Sequence, residues 1–274
     1  MNDARGFTRR NGSATRTIVS SPIPAATLVL FRDGPANASG APEHLFVERA
    51  TTMVFAGGAV VFPGGRVDPG DYDLAARFPH LDPEDAAARI AAVRETIEEA
   101  GIVVGIGAGI GAAIDANVEV LRAALAQGTA LGPLLDAHGL TLDLDTLVPF
   151  ARWCPNFKET RTFDTHFYLA RVDAGHAEAR VDATENTRLF WATAADVLAR
   201  AEAGEVKIIF PTRRNLERLA MLDSFDAARA HAAAHPVTTI TPWIEAHEGK
   251  QHLCIPDGLG YPVTSETLTS AFRG

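Results

Sequence analysis

The sequence predicts an α/β protein, because short apolar runs typical of strands are interleaved with stretches of helical periodicity. The runs at 25–32, 44–49 and 147–153 have the length and composition of strands, and 83–100 has the strongest helix pattern. With 274 residues, 47% of them apolar, the chain can form one large domain or two small ones.

Composition excludes several classes of protein. The net charge of −9 argues against a protein that binds nucleic acid polymers, since those are usually basic. No apolar run reaches the roughly 18 residues that a membrane-spanning helix needs, so we expect no membrane span. Cys154 and Cys254 are the two cysteines, which predicts unpaired thiols in a reducing, cytoplasmic compartment.

The remaining elements follow from periodicity and from turn residues. We expect the strands at 25–32 and 44–49 to form a hairpin, and residues 72–82 to form a loop before the helix at 83–100. After this helix we predict further helices and strands in the following order: helices 115–127 and 131–138, strands 147–153, 160–171 and 187–191, helices 194–202, 211–222 and 224–235, and a strand around Trp243.

The helix at 83–100 has clear signals at both ends. Asp82 is an N-cap residue, Pro83 occupies the first helical position, and Gly101 is a C-cap residue. Apolar residues recur at spacings of three and four, which predicts one buried stripe formed by Ala86, Ile90, Val93, Ile97 and Ala100.

Three carboxylates lie opposite that stripe, near the C-terminus of the helix. At roughly 100° per residue, Glu95, Glu98 and Glu99 share one face, which we expect to be exposed. The helix dipole and mutual repulsion both disfavour carboxylates there. A divalent cation such as Mg²⁺ would reverse both effects, whereas a solvated acidic face is the alternative.

A glycine pair precedes this helix. Gly64 and Gly65 follow an apolar run that ends at Phe62, which predicts a strand that stops in a glycine turn. Such a turn can bring backbone N–H groups close to a phosphate. A phosphate-binding loop before a carboxylate helix is typical of metal-assisted phosphoryl chemistry.

These two stretches resemble the Nudix box, G-x5-E-x7-R-E-U-x-E-E-x-G-U, where U is aliphatic. Gly65 matches the first glycine, and the run from Arg94 to Ile102 matches the second half, except that Thr96 replaces an aliphatic residue. Asp71 stands where the first glutamate is usual. Twenty-two residues separate Asp71 from Arg94 where the family pattern has seven, so the box contains a long insertion.

A long insertion in the box, together with the sequence that precedes it, makes this chain resemble the branch of the Nudix family that contains peroxisomal coenzyme A diphosphatases. An N-terminal signature of that branch matches in register from Leu45 through Arg49 and Gly58 to the Phe62–Gly65 run. Val54 stands where the branch has a second arginine.

The resemblance implies a Nudix fold, a mixed β-sheet between helices in an α/β/α sandwich. It implies metal-dependent hydrolysis of a nucleoside diphosphate linked to another moiety, with Mg²⁺ or Mn²⁺ as cofactor. The expected substrate is coenzyme A or an acyl-CoA. ADP-ribose or NADH as substrate, and a non-hydrolytic binding module, are the alternatives.

The same resemblance assigns roles to individual residues. Glu95, Glu98 and Glu99 are the expected metal ligands and catalytic acids, and Arg94 orients a carboxylate, with Asp71 as one candidate. Either one of these glutamates or Glu185 is expected to accept the proton of the attacking water. The expected substrate-binding residues are Arg49, Gly64, Gly65 and Arg161; the alternatives are a solvated arginine at a sheet edge for Arg49 and simple surface charge for Arg161.

The domain organisation is expected to be simple. We predict a disordered arm over 1–17, one Nudix domain over 18–263 with a helical insertion around 115–140, and a tail over 264–274. A small-molecule diphosphate is the expected partner, and a homodimer is compatible with the sequence.

Overall fold

The computed structural model describes residues 21–32, 40–51, 56–108, 114–155, 162–172 and 186–271. Its strands are β1 (Ile23–Phe31), β2 (Glu43–Arg49), β3 (Val60–Val61), β4 (Gly64–Arg66), β5 (Ile106–Ala108), β6 (Leu140–Leu142), β7 (Val148–Trp153), β8 (Phe163–Arg171), β9 (Asn186–Thr193), β10 (Thr239–Ile240), β11 (Trp243–His247), β12 (Lys250–Cys254) and β13 (Ser265–Thr267). Its α-helices are α1 (Pro69–Ala75), α2 (Pro83–Ala100), α3 (Ile114–Ala126), α4 (Leu131–His138), α5 (Ala194–Glu202), α6 (Phe210–Leu219), α7 (Phe225–Ala234) and α8 (Leu268–Ala271).

Strand β1 is at the centre of the architecture. It pairs in parallel with β8 and antiparallel with β4, inside a five-stranded sheet of order β10-β7-β8-β1-β4. A second sheet has the order β3-β2-β9 and is entirely antiparallel. The first sheet is therefore mixed, as expected.

The side chains of β1 alternate between two apolar cores, as the strand period of two requires. Ala26, Leu28 and Leu30 pack into a core that includes residues of α1 to α4. Val29 and Phe31 pack into a second core that includes residues of α5, α6 and α7. Helices therefore cover both faces of the sheet, which confirms the predicted α/β/α sandwich.

Helix α2 begins and ends where the sequence predicts. Asp82 accepts hydrogen bonds from the N–H groups of Glu84 (3.0 Å) and Asp85 (3.2 Å). Gly101 ends the helix in a left-handed conformation with φ of 65°. Inside the helix, Arg89 donates to the carbonyl oxygens of Leu144 (2.8 Å) and Leu147 (2.7 Å), which joins the helix to the chain before β7.

Two expectations about the first strands are wrong. Within the described residues, β1 and β2 do not pair as a hairpin: one bridge, Arg32 with Glu43, joins them, and each strand belongs to a different sheet. The glycine pair is not a turn, because Gly64 and Gly65 lie in β4 and pair with Thr27 and Ala26 of β1.

One further expectation, about a loop, is also wrong. Part of the predicted loop at 72–82 is helical, because α1 extends to Ala75. The expected tail at 264–274 includes β13 (Ser265–Thr267), the outer strand of a sheet of order β11-β12-β13. In contrast, the expected arm at 1–17 lies outside the described residues.

The small C-terminal sheet is joined to the second core through Tyr261. The Tyr261 hydroxyl donates to Asn215 Oδ1 of α6 (2.9 Å) and accepts from Trp153 Nε1 of β7 (3.2 Å). Leu253 of β12 is fully buried in the same core. The segment after β10 is therefore an integral part of the packing. Within the described residues, no helix combines the length and apolar character that a membrane crossing demands.

His44 makes the stability of this fold depend on pH. The side chain is 1% exposed, and its Nδ1 lies 3.1 Å from the carbonyl oxygen of Leu30. Burial lowers the pKa of His44 to about 4, although the bond to Leu30 opposes this change. Since the unfolded chain binds this proton more tightly, His44 stabilises the fold above pH 6.5, and that contribution is lost as the pH falls toward 4.

We therefore expect the free energy of unfolding to fall by about 2 kcal/mol between pH 8 and pH 5 because of His44 alone. Urea denaturation at both pH values measures this difference. The His44→Gln variant should lose this part of the pH dependence, and the exposed control His80→Gln should retain it. An unchanged pH dependence in His44→Gln would contradict the assignment.

Candidate active site

The guanidinium of Arg94 makes most of the hydrogen bonds that connect the parts of the site. Its Nε and Nη2 atoms donate to the carboxylate of Asp71 at 3.1 and 3.0 Å. Its Nη1 atom donates to Glu95 Oε1 and to Glu98 Oε1, both at 2.9 Å. Nη2 also donates to the carbonyl oxygen of Arg66 at 2.8 Å. One buried side chain thus connects α1, β4 and the C-terminal half of α2.

Asp71 reaches Arg94 because the first part of the box insertion folds as α1. Asp71 is in the first turn of this helix, and its Oδ2 accepts the N–H of Asp68 at 2.9 Å. The residue is only 1% exposed. The long separation of Asp71 from Arg94 in the sequence therefore leaves their ion pair intact, and Arg94 does bind the carboxylate that we considered as its partner.

The glycine strand packs directly on the carboxylates. Gly64 donates its N–H to Glu99 Oε2 at 3.0 Å. A Cβ atom on Gly64 would collide with the backbone of β1 at Ala26 and Thr27, and one on Gly65 would collide with the carboxyl group of Glu95. Both positions need glycine because of this close approach. The N–H of Gly64, expected to be offered to a phosphate, is instead used inside the protein.

The expectation of an exposed acidic face is wrong. Glu99 is 7% exposed, and the side chains of Glu95 and Glu98 retain 18% and 24% of their exposure. Packing of β4 and α1 against this face of α2 explains the difference. The most exposed carboxylate of the three belongs to Glu98.

Acidic side chains crowd this site among the described residues. The Arg94 guanidinium binds the carboxylates of Asp71, Glu95 and Glu98, and Asp68 Oδ2 lies 3.7 Å from its Nη2 atom, while Glu99 accepts the N–H of Gly64. Burial is the largest cause that raises the pKa of Glu95, Arg94 opposes it, and the charges of Glu99 and Glu98 add to it, so that the pKa is about 8. Burial alone would lower the pKa of Arg94, but Asp71 and Glu95 outweigh burial and raise it.

This donor set fits a hard divalent cation, because such cations accept carboxylate oxygens as ligands. Glu95, Glu98 and Glu99 are the residues that could hold it. Arg94 and Gly64 hold these carboxylates apart, and no set of one oxygen from each lies within 4.8 Å. Cation binding therefore requires rotation of these side chains toward one another.

The structure does not bring every predicted site residue to this cluster. Arg49 ends β2 in the other sheet, where its backbone pairs with Asn186 at a β-bulge. Its buried Nε has no hydrogen-bond partner among the described residues. Arg161 and Glu185 lie outside the described residues, so their predicted roles stay predictions.

Sequence reasoning missed Arg122. This residue of α3 donates from Nε to the carbonyl oxygen of Glu98 (2.9 Å) and from Nη2 to that of Glu99 (3.3 Å). A cation at the C-terminus of α2 offsets the helix dipole beside the carboxylates. The only signal in the sequence was a basic residue on a predicted helix, which says nothing about its partner.

The sandwich, the glycine strand and the acid-rich helix define the class of protein as a Nudix fold. No protein-family model matches the sequence. The chain is 35% identical to a NUDIX hydrolase from Alicyclobacillus acidocaldarius of known crystal structure, with a TM-score of 0.68 over 77% of this chain and 97% of the other. The chain therefore belongs to the Nudix hydrolase family.

Two curated relatives extend the comparison. Nudix hydrolase 7 of Caenorhabditis elegans is 29% identical to this chain. The match covers 66% of this chain and 57% of that relative's length. The acyl-coenzyme A diphosphatase NUDT19 of Gallus gallus is 23% identical over 80% of this chain and 74% of its own length.

Contact between Gly65 and Glu95 leads to a test of the site. In Gly65→Ala the new methyl group must displace the Glu95 carboxylate, because the two would overlap. The displaced group is the end of a flexible side chain, so we expect the fold to survive and the affinity for Mn²⁺ to fall about tenfold or more. Isothermal titration calorimetry measures this affinity.

The matched control is Gly132→Ala in α4, whose methyl group would make only ordinary contacts with Leu74. This variant should bind Mn²⁺ as the unaltered protein does. Equal Mn²⁺ affinity in Gly65→Ala would show that the position of Glu95 does not matter for metal binding.

Proposed function

We propose that the protein hydrolyses a nucleoside diphosphate linked to another moiety, with coenzyme A or an acyl-CoA as substrate. The products would be 3′,5′-ADP and phosphopantetheine or its acyl derivative. The observation that carries the proposal is the group of carboxylates that Arg94 and the N–H of Gly64 hold at the C-terminal half of α2, because these hard oxygen ligands suit Mg²⁺ or Mn²⁺.

Glu95, Glu98 and Glu99 would hold Mg²⁺ or Mn²⁺. When bound, such a cation neutralises diphosphate oxygens and lowers the pKa of a coordinated water molecule. Arg94 fixes one oxygen each of Glu95 and Glu98, so their second oxygens remain as candidate ligand atoms. The N–H of Gly64 fixes Glu99 in the same way.

Hydrolysis requires a proton acceptor for the attacking water. The water oxygen bonds to one phosphorus, the bridging oxygen leaves with the other phosphate, and a carboxylate accepts the water proton. Glu98 is a suitable acceptor among the helix glutamates, because it has the largest exposure to solvent. Glu185 is the other candidate, and it directly precedes Asn186, which pairs with Arg49.

Two observations favour a coenzyme A substrate. The similarity to the avian acyl-coenzyme A diphosphatase extends over 80% of this chain, well beyond the box. The long insertion after Asp71 resembles that branch as well, and it leaves the Asp71–Arg94 ion pair intact at 3.0 Å. Arg49 would contact a substrate phosphate, as would Arg161. The reaction would take place in the cytoplasm, in a monomer or a homodimer.

A substrate panel tests the proposal. The panel contains coenzyme A, acetyl-CoA, ADP-ribose, NADH and a nucleoside triphosphate, each with Mg²⁺ or Mn²⁺. We expect metal-dependent cleavage of coenzyme A or acetyl-CoA, and a kcat at least about 100-fold lower in Glu98→Gln and in Glu99→Gln. The glutamine at 99 retains an oxygen that can accept the N–H of Gly64, so the fold should be unaffected.

Glu84→Gln is the matched control. It makes the same substitution in the first turn of the same helix, about 21 Å away from Glu98, and should keep full activity. If the protein cleaves ADP-ribose or NADH but not coenzyme A, the proposed substrate is wrong, whereas the proposed class of reaction is still correct. Folded protein that cleaves nothing on the panel, but is thermally stabilised by one of these compounds, would indicate a binding module.

A further inference from the structure

We propose a second metal site, of the zinc type, on the β11–β12 hairpin of the C-terminal sheet, formed by Glu245, His247 and Cys254. This site is separate from the carboxylate cluster on α2 and independent of the proposed hydrolysis. Within the described residues, these three form the one group of three Asp, Glu, His or Cys side chains whose ligand atoms all lie within 4.8 Å of one another.

The strand register places the three side chains on one face of the hairpin. Trp243 is opposite Cys254, and Glu245 is opposite His252, in an antiparallel pair. Alternate residues of a strand point to the same face, so residues 243, 245 and 247 share a face with residues 250, 252 and 254. Backbone pairing therefore puts the three side chains on one face, and the side-chain conformations bring their ligand atoms within 4.8 Å of one another.

The distances between the ligand atoms suit a tetrahedral ion. Cys254 Sγ is 3.7 Å from His247 Nε2, and His247 Nε2 is 3.8 Å from Glu245 Oε2. Tetrahedral Zn²⁺ with bonds of about 2.0–2.3 Å separates neighbouring ligand atoms by about 3.3–3.8 Å. An ion between these atoms would need little movement of the backbone.

The chemistry of the ligands favours zinc over magnesium. A thiolate and an imidazole are soft and borderline ligands that select Zn²⁺ or Co²⁺, whereas Mg²⁺ requires oxygen ligands in an octahedral arrangement. Binding would release the thiol proton of Cys254 to solvent. The glutamates of α2 offer oxygen atoms alone, so the two sites should take different metals.

Neighbouring side chains hold these ligands in place, as is usual around metal sites. Trp243 Nε1 donates to Glu245 Oε2 at 3.1 Å. The hydroxyl oxygen of Ser265 in β13 lies 3.5 Å from Cys254 Sγ and 3.0 Å from His252 Nδ1. Ser265 thus connects the third strand of the sheet to the cluster.

The solvent exposure of the three ligands indicates a metal site that is open to water. Cys254 is buried, while Glu245 and His247 keep 53% and 45% of their side-chain exposure. An ion can enter from solvent, and a water molecule can complete a tetrahedron that has three protein ligands. A bound ion would fix β11 to β12, and the neighbouring residue Leu253 is part of the second core.

Cobalt titration of the full-length, chelator-treated and reduced protein tests this site. Excess Mg²⁺ is included to occupy the carboxylate cluster. We expect one equivalent of Co²⁺ to produce a near-ultraviolet thiolate-to-metal charge-transfer band, which one equivalent of Zn²⁺ abolishes. Zn²⁺ should also raise the thermal midpoint of unfolding.

Three variants make the test specific, because the chain has two cysteines. Cys254→Ser should abolish the charge-transfer band, and His247→Gln should weaken Co²⁺ binding at least about tenfold. Cys154→Ser is the matched control and should behave as the unaltered protein. Because His247 is half exposed, its variant should fold even if the buried Cys254→Ser variant does not.

Four results would overturn the proposal. They are the absence of a charge-transfer band in the unaltered protein, a band that survives Cys254→Ser, a band that disappears in Cys154→Ser, and unchanged Co²⁺ affinity in His247→Gln.

Discussion

The ion pair between Arg94 and Asp71 is the interaction on which the site depends. Both side chains are buried, with exposures of 6% and 1%, and removing one partner of a buried ion pair is strongly destabilising. From this pair, the Arg94 guanidinium extends to Glu95, Glu98 and the backbone of β4. The pair therefore places three separate segments around one point and sets the positions of the carboxylates.

This arrangement explains how the box tolerates a long insertion. Part of the inserted chain folds as α1, which packs on α2, and an exposed ion pair between Arg77 and Asp136 joins the segment to α4. The inserted residues begin after Asp71 and end before Arg94, and the two side chains still form an ion pair at 3.0 Å. Helix α3 contributes as well, because Arg122 binds the carbonyl groups at the end of α2. Helices α1 and α3 thus both contact the part of α2 that carries the site.

Features with local causes could be predicted from the sequence. Helix α2 begins after Asp82 and ends at Gly101, because both caps act through neighbouring residues. The sandwich followed from the family resemblance, and the comparison at 35% identity supports it. The residues of the box helix were found because their spacing is a property of the helix itself.

Features with non-local causes could not be predicted. The glycines of β4 looked like a turn, since glycine disfavours strands, but pairing with β1 overrides that preference. The same packing buries Glu99, whose helix position alone indicated exposure. The cluster of Glu245, His247 and Cys254 depends on the register of a hairpin, which the sequence leaves open. The substrate also depends on residues outside the box.

The most direct test of the central claim is a double-mutant cycle on Arg94 and Asp71 in metal-free buffer. The free energy of unfolding is measured for the unaltered protein, Arg94→Gln, Asp71→Asn and the double variant. If the pair organises the site, each single substitution costs about 3 kcal/mol and the coupling energy exceeds about 1 kcal/mol. Single costs that add within about 0.5 kcal/mol would contradict the claim.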